Sequence, residues 1–595
     1  IPDQFSLLQL KNYNISHVEK VPLNLKLDPV LLEMPYPDWA KDGDLIKISI
    51  LLMRDAEFEN ALNRITQKEI RVFESDPYSM IIRASISPTD IQEIVQMEEI
   101  SHISLVSPPG EPEDIKGNSL HRSNAINTAM LNGRKYDGSG VSVAVNDDGY
   151  VGPHIDFAGR LEQSDVANDF TGDHGDMVAG ILGGAGNLNP MYEGMAKGAK
   201  MHIRQYNGSL PGSVQLHQDS GVVLFSSSYS NGCNAGYTSL TRKVDLEIRL
   251  NPALIQVFSA GNAGSSNCGY GAGSGWGNIT GGHKQGKNVI ATANILNNGM
   301  IVNSSSRGPA NDGRIKPDIS ANGNGQMSTD PNNVYATGSG TSAAAPGVSG
   351  VLAQLYQAYR ELNNQEDPNS GLLKGILLNT AEDYGNEGPD FTFGWGRLNA
   401  YKAVKVLEEN RYIDSSISQG ETHRYQLVIP DNVKEVKVMA YWMDREAFPS
   451  ASKALVNDLD VKLISANSEH LPWILNTTPN SSSLSSPATK GEDHLNNMEQ
   501  VSVLNPSDNN YEIEVVGYNI PYGPQEYFII YEFIFDEITV TYPIGGEGLH
   551  PFDVEFIHWD ASPDTIPFTI EYSNDNGVNW NSIGNAPADK RMKIW

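Results

Sequence analysis

Cysteine is nearly missing from this chain: only Cys233 and Cys268 occur in 595 residues. That excludes a disulfide-stapled scaffold and a cysteine-rich zinc site. Positive charge is also short. Against 72 Asp and Glu stand 42 Lys and Arg, a formal net charge of -30, and nucleic-acid binding depends on Lys and Arg neutralising phosphates. Nucleic acid is therefore not expected as a partner, and the acidity reads as solubility. No apolar run approaches the ~20 residues that cross a bilayer, so no membrane span is expected. The chain opens Ile1-Pro2-Asp3, without a basic and apolar leader, so any export signal is expected to have been removed or to lie outside the sequence.

What is present describes a turn-rich globular protein, with 39% hydrophobic residues, 56 Gly and 33 Pro. Its length calls for several cores. Residues 1–43 are punctuated by proline, as in Met34-Pro35-Tyr36-Pro37, and show no period. From Leu45 the pattern gives a strand (45–53), a helix (57–65), strands around 70–73 and 79–86, a second helix, and a strand through 103–106. Ser87-Pro88-Thr89-Asp90 supplies that second helix with an N-cap and a proline at N1. This β-α-β-β-α-β order predicts a ferredoxin-like α+β module over about 45–106. Ser107-Pro108-Pro109-Gly110-Glu111-Pro112 then reads as an exposed, cleavable linker.

Residues 113–411 alternate apolar strands with helices, as in a doubly wound parallel α/β sheet. Strand 141–145 delivers Asp147 to the C-terminal edge, where open sheets gather their functional groups. His174 opens a small-residue helix within Gly172-Asp173-His174-Gly175-Asp176-Met177; alone it reads as a cap or a packed side chain. Asn262 lies in the tight turn Ser259-Ala260-Gly261-Asn262-Ala263-Gly264; alone it reads as a turn residue. Ser342, in Gly340-Thr341-Ser342-Ala343-Ala344-Ala345-Pro346, sits where a helix begins and backbone N–H groups favour an anion. Pro346 is expected near that helix start, where its missing N–H costs little.

Together these four supply what acyl transfer needs: a nucleophile, a base, a carboxylate to orient the base, and an oxyanion donor. Their order, Asp147, His174, Asn262, Ser342, and the lack of a Gly-x-Ser-x-Gly elbow distinguish the chain from the α/β-hydrolases. Over about 115–410 the chain resembles the subtilisin-like serine proteases. Val143 to Gly149 is similar to that family's Asp motif, His174 to Gly180 to its His motif, and Gly340 to Pro346 to its Ser motif. Ser305-Ser306-Arg307-Gly308-Pro309 and Lys316-Pro317-Asp318-Ile319 add two further blocks.

The resemblance implies an endopeptidase acting on polypeptide substrates through an acyl-enzyme, with Ser342 as nucleophile, His174 as base and then acid, and Asp147 orienting the imidazole. Asn262 and the Ser342 N–H would bind the oxyanion. Ser228, Tyr229 and Ser230 would bind substrate backbone and wall the S1 pocket opposite Ala260 and Gly261. No cofactor is implied for the chemistry. The family generally has Thr or Ser where Asp148 stands, and Thr-His where Asp176-Met177 stands. These extra carboxylates are expected to raise the pKa of His174. The family usually has Gly in place of Ser230, so a narrower or more polar pocket is expected.

Cys233 and Cys268 follow predicted core strands and read either as a disulfide of an oxidising compartment or as two free thiols. Residues 412–537 turn to alternating strands at 425–429, 436–442, 460–464, 511–516 and 527–531, an all-β domain of jelly-roll type. Asp458, Asp460, Asp493 and Glu499 offer oxygen ligands for a structural Ca²⁺ or form a solvated acidic edge. In residues 538–595, Ser573 to Trp580 resembles an Asp-box hairpin with Trp580 packed behind the turn; a fibronectin-like repeat is the alternative. The assembled expectation is a secreted zymogen: a propeptide-like region (1–112) that inhibits the site intramolecularly, a catalytic domain (113–411), a β-sandwich (412–537) and a partial β domain (538–595). The competing class is a catalytically silent adhesion protein on the same scaffold.

Overall fold

The computed structural model describes residues 21–32, 36, 40–68, 70–106, 111–112, 121–128, 133–167, 172–206, 210, 212–296, 298–544, 556–562, 566–588 and 590–594. Most of the linker at 107–112, namely 107–110, lies outside them. The chain divides into two compact units, 1–108 and 109–595.

The first unit holds strands β1 (Lys41–Asp42), β2 (Leu45–Leu52), β3 (Arg71–Asp76), β4 (Ile81–Ile86) and β5 (Ile100–Leu105), with helices α1 (Phe58–Thr66) and α2 (Ile91–Ile94). The sheet is antiparallel in the order β5-β2-β4-β3, and β1 folds back on the start of β2. Ile46, Ile48 and Ile50 alternate onto the face that meets Ala61 and Ile65 of α1, one turn apart, and Ile91 and Ile94 of α2. The second helix is a single turn of 4 residues, and the expected cap does not form. Ser87 to Asp90 close a turn instead, with the Asp90 N–H donating to the Ser87 carbonyl (2.9 Å). Pro88 therefore stands outside the helix, and the Asp90 N-cap makes no side-chain bond.

In the second unit, β6 (Glu111–Pro112) precedes seven parallel strands: β7 (Ser142–Asp147), β8 (Leu161–Glu162), β9 (Lys200–Gln205), β10 (Val222–Ser227), β12 (Ile255–Ser259), β13 (Ile290–Ile295) and β14 (Ile319–Asn322). Their order is β14-β13-β12-β10-β7-β9-β8. Strands such as Val222–Ser227 and Ile290–Ile295 are buried at every residue, as expected for a parallel sheet covered on both faces. The chain runs from β7 out to β8 and β9, then crosses to β10 on the other side. That reversal opens a crevice at the strands' C-terminal ends. Helix α3 (His174–Gly183) and helix α4 (Thr341–Leu362) pack against each other at this crevice. The hairpin β15 (Gln326–Asp330) and β16 (Val334–Gly338) braces α3: Ser328 Oγ donates to the Met177 carbonyl (2.7 Å) and Thr329 Oγ1 to that of Asp176 (2.8 Å).

Beyond the sheet, β17 (Tyr412–Ile417), β18 (Thr422–Val428), β19 (Val433–Tyr441), β20 (Asp458–Ile464), β21 (Glu469–His470), β24 (Met498–Leu504), β25 (Asn510–Asn519) and β26 (Gln525–Phe535) form two antiparallel sheets, β17-β26-β19-β24 and β18-β25-β20-β21. A small ribbon, β22 (Trp473–Ile474) with β23 (Thr489–Lys490), lies between β21 and β24 in sequence. Val438, Trp442, Val461, Ile513 and Ile529 fill the space between the sheets. On the outer face of the first sheet, Met439, Tyr441, Phe528 and Ile530 join the same apolar cluster as the parallel-sheet domain. A fully buried ion pair fixes that junction: Lys287 Nζ lies 2.5 Å from Asp444 Oδ2 and donates to the Ala454 carbonyl at 2.7 Å.

The last residues form β27 (Ile538–Tyr542), β28 (Phe556–Ala561) and β31 (Met592–Ile594) in one sheet, and β29 (Phe568–Tyr572) with β30 (Asn581–Ala586) in a hairpin. Asp575 organises the hairpin turn by accepting the Asn579 N–H (2.8 Å). Trp580 is 59% exposed, and the edge of its ring lies against Gly577 of that turn, 3.7 Å from where a Cβ there would stand. Buried Arg122 lies 2.9 Å from Asp560 of β28 and 3.1 Å from Glu382, so this module is pinned to the parallel-sheet domain.

Candidate active site

Asp147 ends β7 and His174 opens α3, and the two meet: Asp147 Oδ1 pairs with His174 Nδ1. Both side chains are buried. With Nδ1 paired to the carboxylate, Nε2 is the ring nitrogen through which any proton transfer would run. The two extra carboxylates have separate fates. Asp148 does not point into solvent; its oxygens accept the N–H groups of His174 (3.1 Å) and Gly175 (2.8 Å), capping α3 from a neighbouring strand end. Burial, and then the charge of Asp147, push its pKa up, against the pull of those two amides. Asp176 accepts the Gly152 N–H through Oδ1 (2.8 Å), while its buried Oδ2 has no hydrogen-bond partner among the described residues. Burial pushes its pKa up to about 7, helped by Asp148, Asp330 and Asp173. At neutral pH it is therefore partly uncharged.

Ser342 is the second residue of α4, inside the turn whose N–H groups have no helical partner. Its Oγ lies 3.5 Å from the Ser228 carbonyl. Pro346 is six residues into the helix, one turn deeper than expected, and so removes the N–H that would bond the Ser342 carbonyl. The Ser228 hydroxyl takes that place, donating to the carbonyl at 3.1 Å. Thr341 is a participant that the sequence reading overlooked. Its N–H (3.1 Å) and Oγ1 (3.2 Å) both reach Asn262 Oδ1, which fixes the amide orientation. Asn262 Nδ2 is then left buried with no hydrogen-bond partner among the described residues. A buried, unmet donor is costly, and beside a serine at a helix N-terminus it is what an oxyanion site keeps in reserve.

After Ser228 comes β11 (Tyr229–Ser230), whose edge pairs antiparallel with β6: Tyr229 lies opposite Pro112 and Ser230 opposite Glu111. Ala260 and Gly261 follow the end of β12. Gly261 has φ +119°, and a Cβ there would collide with Thr280, so this position admits only glycine. Cys233 and Cys268 are joined in a disulfide (Cα–Cα 5.7 Å), and the Asn234 N–H donates to the Ile279 carbonyl (2.8 Å) beside it.

The acidic group in the β-sandwich is only partly the expected one. Asp493 spends its oxygens on the turn that follows, accepting from Leu495 N (2.8 Å), Asn496 N (3.2 Å) and Asn496 Nδ2 (2.8 Å). Its neighbour His494 also enters the group: ligand atoms of Asp458, Asp460 and His494 lie within 4.8 Å of one another. Asp458 Oδ1, Asp460 Oδ1 and Glu499 Oε1 are buried without hydrogen-bond partners among the described residues. Burial drives Asp458 up to about 7 and Glu499 well above its usual range.

A parallel sheet thus carries an Asp–His pair, a helix-borne serine and an asparagine amide at its C-terminal edge, the arrangement expected of the subtilisin class of serine protease. Residues 138–396 match the Subtilase family, and the chain is similar to subtilisin-like serine proteases. It is 29% identical over 283 residues to thermitase of Thermoactinomyces vulgaris, covering 45% of this chain and 90% of that protein. It is 25% identical over 319 residues to the serine protease/ABC transporter B family protein tagD of Dictyostelium discoideum, covering 40% of this chain but only 17% of that one. The solved structure of fervidolysin from Fervidobacterium pennivorans, a keratinolytic enzyme related to subtilisin, aligns at 17% identity with a TM-score of 0.44, over 77% of this chain and 69% of that one. No helix among the described residues is long and apolar enough to cross a membrane.

Proposed function

We propose that the chain is a secreted endopeptidase in which Ser342 Oγ attacks the scissile carbonyl while His174 Nε2 takes its proton. Asp147 holds the ring and stabilises the imidazolium. The tetrahedral oxyanion is held by Asn262 Nδ2 and the Ser342 N–H; its collapse expels the amine, which receives the proton from His174, and water repeats the sequence on the acyl-enzyme. Ser228, Tyr229 and Ser230 take the substrate as an added strand, opposite Ala260 and Gly261. The observation that carries this reading is the Asn262 amide, pinned by Thr341 with its donor unspent beside Ser342. A serine-reactive fluorophosphonate should label the chain, and Ser342→Ala should abolish labelling. Labelling that survives the substitution, or none in the parent, would move the chain to the silent adhesion class.

The further parts follow from the same reading. Residues 1–112 act as a propeptide-like region with a ferredoxin-like module over about 45–106, inhibiting the domain at 113–411 until the linker is cut. The chain nicked within 107–112 should then turn over peptides faster than the intact chain. Residues 412–537 form a jelly-roll β-sandwich, and 538–595 a partial β domain. The catalytic chemistry needs no cofactor. Asp458, Asp460 and Glu499 supply three unspent carboxylate oxygens for a structural Ca²⁺, and addition of Ca²⁺ after chelation should raise the melting temperature. The Cys233–Cys268 bridge fits an oxidising, extracellular setting.

A further inference from the structure

The floor between the two S1 walls is built by a segment that the sequence reading left unassigned. The Thr280 N–H donates to the Ala260 carbonyl (3.0 Å), and its side chain stands directly over Gly261. Gly281 lies against Asn231, which follows β11. His283 stacks on Tyr229, with ring centroids 5.6 Å apart. Residues 280–283 therefore span from one wall to the other. The next residue, Lys284, is fully buried beneath this floor, and its Nζ donates to Thr280 Oγ1 (2.8 Å) and Ser259 Oγ (3.3 Å). An ammonium behind a hydroxyl at the base of a pocket selects for a side chain ending in negative charge.

We propose that the S1 pocket is specific for acidic residues, with glutamate preferred, and that Lys284, acting through Thr280, is the specificity-determining residue. This rests on the protease reading above. The register of β6 on β11 agrees with it. A polypeptide laid on β11 as β6 is, with residues opposite Ser230 and Tyr229, sets its next residue against Ser228, whose carbonyl is 3.5 Å from Ser342 Oγ. That is the residue whose peptide bond the nucleophile reaches. In this chain's own sequence the residue after Pro112 is Glu113.

The test uses the full chain and four p-nitroanilides, succinyl-Ala-Ala-Pro-X with X = Glu, Gln, Phe or Lys, compared by kcat/KM. Glu should exceed its neutral isostere Gln by about tenfold or more, with Lys poorest. In Lys284→Met the Glu-to-Gln ratio should fall to near one, and Thr280→Val should lower it in the same direction. Should Lys284→Met not fold, the parent's ratio and Thr280→Val decide the matter. Gln or Phe ahead of Glu in a parent that labels with fluorophosphonate would overturn this inference alone. No turnover together with no labelling would overturn the protease reading and this with it.

Discussion

Asp176→Asn should stabilise the protein at alkaline pH and do little in acid. The folded carboxyl has its pKa pushed from 3.8 to about 7, first by burial, so the fold binds this proton more tightly than the unfolded chain does. Stability on this account is fully present below the unfolded pKa, falls as pH rises through the window from about 4 to 7, and is lowest above it. A shift of roughly three units at 1.36 kcal/mol each bounds the effect at about 4 kcal/mol. Relaxation around the ionised group brings it to about 2. Asparagine keeps the acceptor for Gly152 N–H and places a donor where Oδ2 now has no hydrogen-bond partner. Thermal melts of both forms at pH 4.5, 6 and 8, in a Ser342→Ala background to prevent autolysis, should diverge with pH. At pH 8 the gap should reach roughly 4–8 °C, at about 2–4 °C per kcal/mol. Parallel melting curves across that range would refute the argument.

Asp148→Thr should shift the acidic limb of kcat/KM toward lower pH at low ionic strength. The lost carboxylate lies at the His174 amide and favours the imidazolium, and the base works only when neutral. An unmoved limb would leave Asp148 a helix cap, worth about 1 kcal/mol in a denaturation curve. Lys287→Met strands the buried Asp444 carboxylate at the junction between the parallel-sheet domain and the β-sandwich and should cost about 3–5 kcal/mol in urea unfolding. A loss below about 1 kcal/mol would mean that the pair contributes little to that junction. Thiol titration under denaturing, non-reducing conditions should find no free thiol, and Cys233→Ser with Cys268→Ser should cost up to about 4 kcal/mol for a 35-residue separation. Two titratable thiols in the parent would reject the bridge.

The parallel sheet, the strands of the antiparallel sheets and the placement of Asp147, His174, Asn262 and Ser342 at strand ends and helix starts were legible in the chain, because each depends on a local signal. An apolar run bounded by Gly and Asn marks a strand end at Asp147 and at Asn262. A small-residue stretch opening on His174 or Ser342 marks a helix start that must approach a neighbour closely. The four are separated by up to 195 residues of sequence, yet all sit at strand ends or helix starts, and a doubly wound sheet brings these to one edge.

What folding alone decided were the partners of each group, since those come from segments remote in sequence. Nothing near Asp148 in the chain says that its oxygens will cap α3, nor near Asp176 that one of its oxygens will be buried without a hydrogen-bond partner; burial, a property of the packed whole, sets their charge. Pro346 could be placed only when the helix start was known, and the missing N–H then acquired a meaning through Ser228, 114 residues earlier. His494 joined the acidic cluster, while its neighbour Asp493 stays close enough for its charge to raise Glu499 even as it accepts the amides of the turn that follows. Lys284 had no motif around it: a lysine becomes part of a specificity pocket only where the fold denies it water and sets it under Thr280.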